Sequence, residues 1–425
     1  MRIAMVHWAF PPVIGGVESH LATLCPALAA RGAVVSLLTG SIDGLQASGT
    51  WEGMPLVRTP LLDLNHLREG RAAGKLHAAV RREIAQFLEA ARPNLVHAHN
   101  MHYFSAAHLD VLSGWCQEAG VPLVLTAHNV WGDSLWRDMC SRARAWDRTI
   151  AVSHYIEDEL VRSGFASERV AVVHHGLDTE RFRPQSERVR RLIRRRYPAL
   201  AGRRVIFHPA RSSVAKGSLV AIAALKEIRG SIPAALLVCA GAGAIVDWDN
   251  VQSAELQEIR QVVRDAELAG HVLIRSFTWE EMADLYQVAD VTIYPSLYEE
   301  PFGLGVLEAM ASGSPVVVSR SGGMPEFVAD GRTGYVVPQG DPHALAERCV
   351  ELLTRPRRAA VMSGLARRAV LHHHTVTGMT NMTCQVYQSA LADGDGANAP
   401  GAAVPEGAAT EDKRDAMAVH GDPSA

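Results

Sequence analysis

Two carboxylates eight residues apart, Glu300 and Glu308, bracket a turn suited to seating an anion. An apolar, β-branched run, Asp290-Val-Thr-Ile-Tyr294, reads as a buried strand leading into it. Leu304, Leu307 and Ala311 share one face of a helix expected over Gly303 to Ala311. Gly313-Ser314-Pro315 then stops that helix before the strand Pro315-Val-Val-Val-Ser319. The amides of Phe302, Gly303 and Leu304 thus fall at a helix N-terminus, where unpaired N–H groups and the dipole favour negative charge. Gly303 has no side chain to keep a ligand off the backbone. Glu300 and Glu308 would repel the anion itself. They suit hydroxyl groups on either side of it: Glu300 those of a sugar, Glu308 a ribose diol. A sugar nucleotide has that layout. Taken alone, two glutamates at this spacing favour the plainer reading of a buried helix with a solvated Glu at each end.

A second cluster supplies the opposite charge. Arg204-Val-Ile-Phe-His208 reads as a strand, followed by Arg211, Lys216, Gly217 and a helix over Ser218 to Arg229. An arginine fork and a mobile lysine beside a helix N-terminus suit a diphosphate. Nearer the start, Gly15 and Gly16 separate a strand (Arg2 to His7) from a helix (Val17 to Arg31) and would let a phosphate or sugar approach the backbone. The spacing is not that of a dinucleotide fingerprint. His99 and Asn100 end the strand Leu95 to His99, and His128 and Asn129 follow the strand Pro122 to Thr126. Ligands of open α/β sheets bind beyond such carboxyl ends. His97, inside its strand, reads as a hydrogen-bonded core residue, and His7 and His20 receive no role.

Composition sets the frame. The chain has 425 residues, enough for two domains, with 48% hydrophobic and 20% charged residues and a formal net charge of −3. Nothing in that balance points to nucleic acid. The cysteines are scattered without paired metal spacing, as expected of reduced thiols in the cytoplasm. No acidic metal cluster is visible, and no apolar run reaches the roughly 18 residues of a membrane span. Arginines crowd Glu187 to Tyr197, which reads as a solvated linker helix more than as a membrane-surface patch. His372, His373 and His374 are adjacent and suit a loop or helix end. Residues from Leu391 on, rich in Ala, Gly, Pro and Asp, are expected to lack structure.

Glu300-Pro-Phe-Gly-Leu-Gly-Val-Leu-Glu308, running on to Gly313, resembles the paired-glutamate motif of the retaining family 4 glycosyltransferases. Further matches are Pro12, Gly15, Gly16, Glu18 and His20 in the first glycine loop, and Arg211 with Lys216 and Gly217. Gly176-Leu-Asp178 to Phe182 and Pro184 match the interdomain hinge, and Gly322, Gly323 and Glu326 a later turn. The resemblance covers about the first nine-tenths of the chain. It implies α/β class and GT-B architecture, two doubly wound Rossmann-like domains facing across a cleft. The expected division is an acceptor-side domain over 1–184, a linker helix over 185–203, a nucleotide-sugar domain over 204–374, a helix crossing back over 375–390 and an unstructured tail over 391–425. By the same resemblance Arg211 and Lys216 bind the donor diphosphate, His128 lies near the donor sugar, and Arg275 and Phe277 lie near the base. His175 replaces the usual hinge Asn, which is expected to affect the turn more than the chemistry. Catalytic work thus falls to His128, Glu300, Arg211 and Lys216. Gly15, Gly16, Arg275, Phe302, Gly303, Leu304 and Glu308 join the donor site, and His99, Asn100 and Trp131 face the acceptor.

The implied partners are a nucleotide-sugar donor, by default a UDP-sugar (UDP-GlcNAc or UDP-Glc), and a small hydroxylated acceptor, with no cofactor and no essential metal. Phe207 to Arg211 and Thr126 to Trp131 look more like the enzymes that glycosylate 2-deoxystreptamine in aminoglycoside antibiotic biosynthesis than like lipid mannosyltransferases. Alternatives are a glycosyltransferase of cell-envelope glycan or lipid, a sugar-nucleotide epimerase, and a two-lobed binding protein. A glycosidase would leave the cations and glycine loops without purpose.

Overall fold

Branched apolar runs alternate with helices along most of the chain, which dictates parallel sheets covered on both faces. The computed structural model describes residues 1–13, 15–63, 73–130, 132, 134–241 and 251–397. The first half runs β1 (Arg2–Val6), α1 (Gly16–Ala29), β2 (Val34–Gly40), β3 (Ser48–Trp51), β4 (Met54–Thr59), α2 (Ala73–Ala91), β5 (Leu95–His99), α3 (Ala106–Ala119), β6 (Leu123–Ala127), α4 (Ser134–Cys140), β7 (Arg148–Ala151), α5 (His154–Arg162) and β8 (Val170–Val172). Its strands form one sheet in the order β3-β4-β2-β1-β5-β6-β7-β8. Every pairing in it is parallel except the β3–β4 hairpin.

The second half runs α6 (Glu187–Arg196), β9 (Arg204–His208), α7 (Ser218–Ser231), β10 (Ala235–Ala240), α8 (Val251–Asp265), β11 (Val272–Arg275), α9 (Trp279–Val288), β12 (Val291–Tyr294), α10 (Leu304–Ala311), β13 (Val316–Ser319), β14 (Tyr335–Val337), α11 (Pro342–Thr354), α12 (Pro356–His373) and α13 (Val376–Ala397). Its sheet is ordered β11-β10-β9-β12-β13-β14. Chain direction across each sheet reverses once near the middle, between β1 and β5 in the first and between β9 and β12 in the second. A crevice opens beyond the strand ends at each reversal. Strands β6 and β10 are buried at every residue, as sheets covered on both faces require.

The halves are joined at adjacent crossings. Leu177 N donates to His374 O over 2.9 Å. Gly176 makes this possible, because a Cβ there would lie 2.5 Å from the Thr375 carbonyl oxygen. Helix α13 then returns to the first sheet, where the fully buried Tyr387 hydroxyl meets His97 Nδ1 at 2.7 Å and Arg148 Nε donates to Ser389 Oγ at 3.0 Å.

Several expectations change. Helix α13 continues past Leu391 to Ala397, where Arg148 pairs with Asp393, so the start of the expected tail is helical. The remainder of that tail, 398–425, lies outside the described residues. Helix α6 is more than a solvated linker: Arg194 donates to Val288 O and Asp290, and Arg196 pairs with Asp284. The β3–β4 hairpin and α3 went unread, the hairpin because Ser48-Gly-Thr-Trp51 is short and polar. No helix among the described residues is long and apolar enough to cross a membrane.

Candidate active site

The two crevices face one another and merge into a cleft of about 530 Å³. Gly15, Gly16, His128 and His175 line it from the first half. Arg211, Lys216, Phe277, Glu300, Phe302, Gly303, Leu304 and Glu308 line it from the second.

The second-half wall is built by close backbone approach. Gly217 caps α7 at φ +78, and a Cβ there would fall 1.8 Å from Pro295 O. The loop before it is pinned to the loop after β12, since Ala215 O accepts from Leu297 N at 2.9 Å and Tyr298 N at 3.1 Å. That docking carries Lys216 Nζ to within 2.8 and 2.9 Å of the two Glu300 carboxylate oxygens. Glu300 is only 4% exposed, and Ser296 Oγ donates to its Oε1 at 2.7 Å. Lys216 and Glu300 had been expected to serve separate parts of a ligand; they form one ion pair, with Glu300 buried and Lys216 partly exposed. Removing either partner would strand a charge, which is far costlier than losing an exposed pair. Arg211 is exposed on the same wall.

Helix α10 starts at Leu304 after Gly303 at φ +100, so the amides at its start precede any intrahelical acceptor. Phe302 is buried and packs edge-on against His175, ring centroids 4.8 Å apart. Glu308 sits one turn in. Burial pushes its pKa up to about 7, against the pull of a hydrogen bond from Tyr286 and the charge of Arg181. Arg275 is not brought to the cleft. It pairs with Glu281 and lies over the rings of Phe277 and Tyr197, at 4.5 and 5.5 Å. Its neighbours Ser276 and Phe277 line the wall instead.

The first-half wall is made of imidazoles. His128 N donates to Asn100 Oδ1 at 2.7 Å, His128 Nε2 lies 2.9 Å from His99 Nδ1, and its ring stacks on His175 at 5.3 Å. His99 and Asn100 therefore stand behind His128 and position it; neither is among the cleft-lining residues, where acceptor contacts had been expected. Trp131 lies outside the described residues. Gly15 is the N-cap of α1, and the Glu18 carboxylate folds over it, 2.2 Å from where a Cβ would be. His97 is the core residue expected, held by Tyr387 and by Thr126 Oγ1 at 2.7 Å.

His175 was missed. Its place in a hinge motif suggested a backbone role, yet its ring reaches the cleft and His20 Nδ1, 2.9 Å away. Also unforeseen was the latch between the halves. Ser153 Oγ donates to Pro301 O at 2.5 Å, and Glu326 accepts from His154 N and Tyr155 N at 2.9 and 2.8 Å. Burial opposes ionisation of Glu326, but the His174 bond and these two amides outweigh it and leave its pKa below the usual carboxylate value. Glu326 was visible in its motif; its partner could not be, being 172 residues away. Among the described residues, two side-chain groups have ligand atoms close enough to share a metal ion: His20, His99 and His128, and His154, His174 and Glu326.

Two family models match the chain. One described as Glycosyltransferase Family 4 covers residues 14–181, and one described as Glycosyl transferases group 1 covers residues 189–369. A D-inositol 3-phosphate glycosyltransferase from Streptomyces avermitilis is 30% identical over 411 residues, 89% of this chain and 83% of that one. A glycogen synthase from Mycobacterium tuberculosis is 28% identical over 418 residues, 92% of this chain and 95% of that one. Among solved structures, a glycosyltransferase from Rickettsia africae superposes with a TM-score of 0.74 at 17% identity, covering 92% of this chain and 99% of its own. Anabaena HepE in complex with UDP and glucose gives 0.74 at 20% identity, with 92% and 100% covered.

Proposed function

The chain belongs to glycosyltransferase family 4 and has the GT-B fold, and we propose that it transfers a sugar, with retention, from a UDP-sugar to a small hydroxylated ring acceptor. The observation that carries this reading is the part-buried Lys216–Glu300 pair beside the start of α10, with Glu308 one turn into that helix. A diphosphate fits between Lys216, Arg211 and the α10 amides. Glu300 then receives sugar hydroxyls and Glu308 the ribose diol. The division of the chain into an acceptor-side domain (1–184) and a donor domain (204–374) is part of the same proposal.

In the transfer, the bond from the anomeric carbon to the diphosphate oxygen breaks as the acceptor oxygen bonds to that carbon on the same face. The acceptor proton passes to the leaving diphosphate. Lys216, Arg211 and the amides meet the charge that builds there, usually the largest electrostatic contribution to such a step. The Ser153 and Glu326 contacts close the cleft and exclude water. His128 contacts the donor sugar from the opposite wall. The donor sugar we propose is glucose or N-acetylglucosamine, and the acceptor an aminocyclitol of the 2-deoxystreptamine type. The S. avermitilis relative supports a cyclitol-sized acceptor, since its name states D-inositol 3-phosphate. The test is to incubate purified protein with UDP-glucose, UDP-N-acetylglucosamine or GDP-mannose, with and without 2-deoxystreptamine, and read products by mass spectrometry and anomeric NMR. A retained-configuration adduct is expected. Epimerised donor, an inverted product or a trapped glycosyl-enzyme would overturn the mechanism.

A further inference from the structure

Strands β5 and β6 end beside α1, and there three imidazoles meet: His20, His99 and His128, exposed by only 7%, 1% and 6%. One ring nitrogen of each lies within 4.8 Å of the other two. Hydrogen bonding inside the protein does not satisfy them. A neutral imidazole carries one N–H and one lone pair. In the His99 Nδ1–His128 Nε2 contact one ring donates, so the accepting ring keeps its own N–H on the far nitrogen. The far nitrogens, His99 Nε2 and His128 Nδ1, have no hydrogen-bond partner among the described residues, and neither does His20 Nε2. Whichever way the protons sit, a buried N–H is left over. Each neutral ring can still turn one lone pair to a cation while its N–H stays on the other nitrogen.

We infer that His20, His99 and His128 form a binding site for a divalent transition-metal ion, best suited to Zn²⁺, with its open position toward the cleft. Three imidazoles and no carboxylate ligand favour zinc-class metals over Mg²⁺ or Ca²⁺, which take oxygen donors. Three protein ligands also leave one position of a tetrahedral ion for water or a hydroxyl group. Of the three rings His20 has an outer partner, His175 Nδ1 at 2.9 Å from its Nδ1. Entry is open from both sides, since His128 borders the main cleft and His20 borders an adjoining cavity of about 470 Å³. An ion held by His128 takes that ring from the donor sugar, so metal and donor compete. This competition rests on the donor placement proposed above; metal binding does not.

The test uses the full chain, stripped with a chelator and titrated calorimetrically with Zn²⁺ in the absence of donor. About one equivalent should bind, and X-ray absorption of the loaded protein should show a shell containing three imidazole nitrogens. His175→Ala, which removes the outer partner of His20 and the ring stacked on His128, should weaken binding about 10- to 100-fold, and His99→Gln by more. The double variant His372→Ala/His373→Ala, altered on the exposed end of α12, should bind like the parent, as should His154→Ala. No binding at equimolar metal, a shell without three imidazoles, or binding lost in either of these last variants would overturn the site. If His99→Gln does not fold, the absorption spectrum of the parent decides.

Discussion

At the β9/β12 reversal the side chains are charged and local in sequence: Arg211, Lys216, Glu300 and Glu308 sit on two loops and the short helix they lead into. At the β1/β5 reversal they are mostly buried imidazoles drawn from across the first half: His7, His20, His99, His128 and His175. Under the proposed function the wall from the second half holds and neutralises a diphosphate. The imidazoles of the first-half wall offer hydrogen bonds or lone pairs. The same sheet plan thus gives one crevice for an anion and one for neutral groups, because fold fixes where a ligand sits and side chains fix what it is.

The sharpest way to break this comparison is Lys216→Ala. It strands the Glu300 carboxylate and removes a cation from the leaving group, so kcat should fall about 10²- to 10³-fold, measured by steady-state donor turnover. A comparable loss from His128→Ala alone would mean the imidazole wall carries charge after all.

Glu308→Gln should come next, raising KM for donor about tenfold or more, as loss of a charged hydrogen-bond partner does, with kcat nearly unchanged. Its pH behaviour sharpens the point. With a folded pKa near 7, Glu308 is about half protonated at pH 7. Ribose hydroxyls favour the carboxylate, so donor binding should release about half a proton at that pH. Calorimetry in buffers of different ionisation enthalpy reads this, and Glu308→Gln should abolish it. The stability sign follows: a raised carboxyl pKa costs folding free energy as pH climbs past the unfolded value of 4.5, with the full cost above about 7. The variant should therefore gain in melting temperature over the parent at pH 8 and lose that gain at pH 4.

Glu326→Ala should weaken the latch without touching either wall, lowering kcat/KM about three- to tenfold, as one or two lost charge-assisted hydrogen bonds would. An unchanged value would show that the walls close without it. Smallest in kinetics is Tyr387→Phe. It leaves buried His97 Nδ1 without its partner at a cost of about 1–3 kcal/mol, readable by urea unfolding, with turnover unaffected.

The sequence by itself determined the second wall. Its residues lie in short runs, so glycine turns, helix starts and charge pairs could be read where they stand: Gly217 before α7, Gly303 before α10, the glutamates around it. The alternating strands and helices were legible in the same local way, while the GT-B arrangement rested on the family resemblance. Tertiary structure alone decided the rest. That Lys216 pairs with Glu300 depends on Gly217 packing against Pro295, an approach across 78 residues. That Arg275 turns from the cleft depends on Glu281 and Tyr197 being nearer. The imidazole cluster assembles only because β1 and β5 pair in parallel, which sets His7 and His99 at neighbouring strand ends with His20 and His128 beside them. Local order is written in neighbours along the chain; a wall made of strand ends is written in sheet topology, and no single segment contains it.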